Sequence, residues 1–113
     1  MKPPQYEEMD HGREVAIPLA FEKVCGRLNH YRLRTNPPSK PLPNWVGPIP
    51  RPTFEVLEEG DGSLVAEFYP NGHYRCHKDD FLPYFKKMEA IIEKAGQDAY
   101  DRFIEKYEEM RES

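Results

Sequence analysis

Hydrophobic side chains recur along this chain with two periods, and the change of period marks its parts. From Ile17 the period is helical. Phe21, Val24, Cys25, Leu28 and Tyr31 fall on one helix face. Pro18 suits the first turn, where its missing N–H costs little. The pattern stops at Asn36, because Pro37 and Pro38 push the residue before them out of the α region. Gly26 weakens this helix, and residues 27–34 can also be read as a strand. Residues 1–13 are polar and aperiodic, which predicts a loose arm.

Residues 37–52 hold seven prolines, excluding both a helix and a central strand. An extended, partly polyproline II segment is expected. Its Leu42, Trp45, Val46 and Ile49 suggest that it lies against the domain with Trp45 tucked beneath.

Period-two alternation follows. Residues 53–58, 63–69 and 73–77 read as three antiparallel strands. Gly60-Asp61-Gly62 and Pro70-Asn71-Gly72 supply the turns, with Gly72 at the left-handed position. Pairing Tyr69 with His73 sets Glu67 opposite Arg75, Phe68 opposite Tyr74 and Ala66 opposite Cys76. The face holding Phe68, Ala66 and Leu64 is the expected buried one.

The helical period then returns. Asp79 or Asp80 is expected to cap a helix whose inner face is Phe81, Leu82, Phe85, Met88, Ile91 and Ile92. Gly96 suggests a stop, followed by a second helix through Ala99, Tyr100, Phe103, Ile104 and Tyr107. One continuous helix over 80–111 is the alternative. The elements predict an α+β fold: a three-stranded sheet packed on C-terminal helices, preceded by an N-terminal helix and a proline-rich crossover.

Composition bounds this picture. The 113 residues suit one domain. Aromatics form 12% of the chain, enough apolar area to argue against wholesale disorder. No apolar run approaches membrane-spanning length, and the N-terminus has no secretory h-region. A small soluble cytoplasmic protein with free thiols and no membrane partner is expected.

The net charge of -4 hides a division. Residues 1–52 carry 8 basic and 5 acidic groups, and residues 53–113 carry 8 and 15. Between Lys23 and Phe54 there is no acid at all.

Candidate chemistry is sparse. Cys25, His30, His73, Cys76 and His77 could in principle ligate zinc. However, His73 and His77 share one strand face while Cys76 points to the other, so no metal and no cofactor are expected. The same alternation keeps Cys76 from His77, and the other carboxylates read as helix surface, so no catalytic residue is assigned. A small enzyme or zinc domain is the weakest reading.

The remaining signal is for binding. Arg27, His30, Arg32, Arg34, Trp45 and Arg51 combine cations and rings with a stiff proline-rich segment, which suits an interface centre. The expected function is non-enzymatic protein binding, as a regulator, inhibitor or assembly factor. A nucleic-acid-binding module using the same 23–51 stretch is the alternative, since basic groups neutralise phosphates and rings stack bases. Association with a second copy of the chain is also compatible with the sequence.

Overall fold

The computed structural model describes residues 5–37 and 52–112. In chain order they form α1 (Gln5–Cys25), β1 (Tyr31–Asn36), β2 (Thr53–Glu58), β3 (Leu64–Phe68), β4 (Tyr74–Cys76), a short 3-10 turn (Asp79–Phe81) and α2 (Leu82–Glu112). The strands make one antiparallel sheet in the order β1-β2-β3-β4. The fold is α+β, and no helix among the described residues is long and apolar enough to cross a membrane.

The β3–β4 pairing holds as expected, but on β3 Val65 is fully buried while Leu64, expected on the buried face, is only half-buried. Ala66, Glu67 and Phe68 pair with Cys76, Arg75 and Tyr74. Gly72 has a φ of 92°, and Tyr69 and His73 close the turn. Such a φ suits glycine, which has no Cβ to meet the backbone. The β2–β3 register shifts at Val56/Leu57, where the buried Val65 is the extra, bulged residue of β3.

Four expectations are corrected. The sheet has a fourth strand, β1, where the helix was expected to continue. Tyr31 and Leu28 fit a helical period, yet Tyr31-Arg-Leu-Arg-Thr also alternates, and its β-branched and aromatic residues favour a strand. The helix ends because Gly26 and Asn29 break it; Asn29 takes a left-handed φ of 59°.

The expected polar arm is largely helix, because α1 starts at Gln5. Its first half is held by buried polar groups, which hydrophobic periodicity does not register. Pro18 consequently lies inside α1 rather than in its first turn, on the exposed side.

The C-terminal helices are one. α2 runs 31 residues, about 46 Å, straight through Gly96. Finally, neither Asp79 nor Asp80 provides a side-chain cap; both sit in the first turn of the 3-10 segment, where negative charge suits the helix dipole.

The core lies between one sheet face and both helices. Phe54, Val56, Ala66 and Phe68 meet Phe81, Phe85, Met88 and Ile92 of the C-terminal segment and Ile17, Ala20 and Cys25 of α1. Phe68 and Phe85 are 5.2 Å apart between ring centroids. Each buried large apolar side chain contributes roughly 1.5–3 kcal/mol.

Arg13 ties these layers together. Its Nη1 donates to Asp10 at 3.0 Å, and its Nε and Nη2 reach the two oxygens of Glu93 at 3.1 and 3.3 Å. Nη1 also lies 3.5 Å from the Pro70 carbonyl oxygen in the β3–β4 turn. Tyr74 of β4 donates to Glu93 at 2.5 Å. Burial, then this bond to a carboxylate, pushes the Tyr74 hydroxyl well above its ordinary pKa.

Small residues make room for this network. A Cβ on Gly96 would stand 3.0 Å from Arg13 Cγ and 3.1 Å from the Met9 carbonyl oxygen. One on Gly12 would stand 2.7 Å from both the Ala95 carbonyl oxygen and Ala99 Cβ. Gly96, expected to stop a helix, is therefore where two helices cross.

Two outcomes follow from this crossing. Gly12→Ala should lower stability by about 1–3 kcal/mol in urea denaturation, overpacking outweighing alanine's better helix propensity. Gly60→Ala, with nothing within 4 Å of the added Cβ, is the near-neutral control. Arg13→Met should cost about 3–5 kcal/mol, since it removes the guanidinium that pairs with the buried Asp10 and with Glu93.

Candidate interaction surface

The turn after α1 and the strand β1 carry four of the residues singled out by sequence. Arg27 and His30 are exposed in the turn. Arg32 and Arg34, two apart on β1, share the sheet face directed away from the helices. Arg34 is engaged: its Nη2 and Nε donate to Glu55 at 2.9 and 3.1 Å, and Asn36 reaches the same carboxylate at 2.5 Å. Arg27 and Arg32 form no ion pair among the described residues. Trp45 and Arg51, with the rest of 38–51, lie outside the described residues.

β1 is an edge strand among the described residues. The Glu59 N–H donates to the His30 carbonyl at 2.8 Å, which fixes the hydrogen-bonding phase of the β1–β2 ladder. In an antiparallel pair bonded and non-bonded positions alternate. Arg32, Arg34 and Asn36 therefore bond to β2. Tyr31, Leu33 and Thr35 turn their N–H and C=O groups outward, away from the sheet.

Beside this edge runs a half-open groove of about 590 Å³. It is lined by Pro18, Phe21, Glu22 and Cys25 of α1, by Tyr31, Arg32 and Leu33 of β1, and by Glu59. The Tyr31 ring is held edge-on to Phe81 at 5.0 Å. Burial, then nearby negative charge led by Glu58, raises its pKa.

The sheet's open face is polar. Arg34, Glu55, Glu67 and Arg75 stand in one row across all four strands. Glu67 accepts hydrogen bonds from Tyr69 and from His77, the latter at 2.8 Å. Burial alone would raise the Glu67 pKa, but these bonds and the charges of His77 and Arg75 outweigh it and leave it lowered. Burial and the bond to Glu67 push Tyr69 up to about 12.

The other candidate ligands and nucleophiles separate. His77 turns to Glu67, and His73 accepts from Arg75 at 3.2 Å. Cys76 lies on the opposite face, its thiol donating to the Lys78 carbonyl at 3.2 Å. Among the described residues no three His, Cys, Asp or Glu side chains converge as metal ligands. Both cysteines are free thiols. Burial pushes Cys25 up to about 11 and also raises Cys76, the reverse of what activates a nucleophilic thiol. Asp61 closes its turn by accepting from the Ser63 N–H at 2.9 Å, a bond that lowers its pKa.

Sequence reading preferred a helix through to Asn36 and kept a strand over 27–34 only as the alternative, so the edge and its groove were not anticipated. The signal was present as the alternation of Tyr31, Leu33 and Thr35 with Arg32 and Arg34. A second groove, of about 480 Å³, follows the α1–α2 seam past Val15, Leu19, Ala99 and Phe103. No protein family, no curated protein and no solved structure matches the chain.

The Glu67 cluster sets a pH dependence. The folded chain holds this proton more weakly than the unfolded chain. Its stabilisation is therefore complete above the ordinary value of 4.5 and is lost as pH falls through the lower folded value. Denaturation midpoints should be level above that pH and fall below it. Glu67→Gln should make the fall shallower.

Proposed function

We propose that the chain is a non-enzymatic binding protein, a regulator, inhibitor or assembly factor that engages another protein. The corner formed by the α1–β1 turn and β1 is its contact surface. The supporting observation is the coincidence there of two exposed cations without ion pairs among the described residues, Arg27 and Arg32, with an outward-facing strand edge and a groove of mixed apolar and polar lining. Arginines beside apolar pockets are favoured where interfaces concentrate their binding energy. Arg34 serves the sheet instead, through Glu55.

The same two cations support a nucleic-acid reading. The neighbouring row on the sheet face argues against it, because Glu55 and Glu67 stand side by side and repel phosphate. The proposal keeps to a protein partner.

The test replaces Arg27 and Arg32 together by glutamate. Affinity for a co-purifying protein partner should fall at least about tenfold, or 1.4 kcal/mol. The urea midpoint should stay nearly unchanged, both side chains being exposed. Undiminished partner binding removes this surface from the account. Binding to oligonucleotides that falls steeply with salt replaces the protein reading by the nucleic-acid one.

A further inference from the structure

Resting on that reading, the geometry points to a particular ligand for the surface: an extended segment of the partner, alternating acidic and apolar residues, that adds to the sheet beside β1. Three features converge on it.

The first is the backbone. Tyr31, Leu33 and Thr35 present alternate N–H and C=O groups outward, the arrangement an incoming strand requires. The second is the groove. A strand about 4.8 Å beyond β1 would place every other side chain on the helix-facing side, between Leu33 and Phe21. Apolar side chains fit there. The third is charge. The intervening side chains would emerge on the opposite face, next to Arg32 and Arg34. Arg32 has no ion pair among the described residues, and Arg34 remains half exposed beside Glu55. Carboxylates in those positions gain cross-strand attraction.

The same arginines argue against a second copy as the occupant. Antiparallel pairing of two β1 strands would oppose arginines to arginines, and like charges across a ladder repel. Charged residues on an edge are a common guard against such self-association. Here the guard also defines what the edge accepts.

The probe is a labelled synthetic peptide of about six residues, the length of β1, alternating glutamate and valine. It is titrated into the full chain, with a lysine–valine peptide as its counterpart. The glutamate peptide should bind and move the amide resonances of Tyr31, Leu33 and Thr35. Thr35→Pro removes one outward donor while keeping the bonds to β2, since proline is tolerated where an edge N–H faces outward. It should weaken peptide binding about tenfold. Arg32→Glu should reduce or reverse the preference for the glutamate peptide.

Unmoved β1 amides at the highest peptide concentration would overturn the inference, as would equal affinity for the two peptides. So would equal binding by wild type and a Thr35→Pro variant whose spectrum shows it folded. A native partner lost on Arg27→Glu with Arg32→Glu but kept by Thr35→Pro would overturn strand addition and leave the binding function standing. A native partner kept by both variants would overturn both.

Discussion

The fold depends on one guanidinium group. Arg13 reaches from α1 to Glu93 on α2 and lies beside the β3–β4 turn at Pro70, while Tyr74 of β4 binds the same carboxylate. These bonds set where α1 crosses α2 and where both meet the sheet. Apolar contacts alone would tolerate some sliding, because dispersion and burial carry little direction. A forked donor engaging two carboxylates carries a great deal. Around Arg13 there is no spare volume, with Gly72 on one side and Gly96 on the other.

This explains which parts of the structure were legible in the sequence. The hairpin strands were readable because one face is apolar and the turn residues meet known backbone needs, Gly72 above all. The inner face of the C-terminal segment was readable at Phe81, Phe85, Met88 and Ile92. The first half of α1 was not, because Asp10 and Arg13 are held by polar contacts and Gly12 is chosen for size. Gly96 misled for the same reason: local propensity reads a helix stop where tertiary contact demands a small residue. β1 was legible only as the alternative to a longer helix, because Tyr31 serves a helical pattern and a strand pattern equally well. Of the candidate surface, the cations were visible and the edge was not, since an edge exists only once strands are paired.

Charge shows the same division between local and tertiary information. The basic front and acidic body answer each other in part: Arg13 meets Glu93, and Arg34 meets Glu55. Those pairs account for much of the apparent polarity of the chain as internal structure. Among the described residues of the front half, Lys23, Arg27 and Arg32 are left without an ion pair, and the two arginines stand together at one corner.

The junction of β1 and β2 is closed by a pair of polar side chains. Asn36 and Thr53 are cross-strand partners, linked by a side-chain hydrogen bond of 3.1 Å. The proline-rich stretch therefore leaves and re-enters the sheet at adjacent strand ends, as a hairpin connection rather than the expected crossover between layers. The entropic cost of closing a connection between two strands grows only logarithmically with its length, by about 0.6 kcal/mol per doubling. The sheet therefore asks little of the length of a connection here, so long as its ends meet at the Asn36–Thr53 pair.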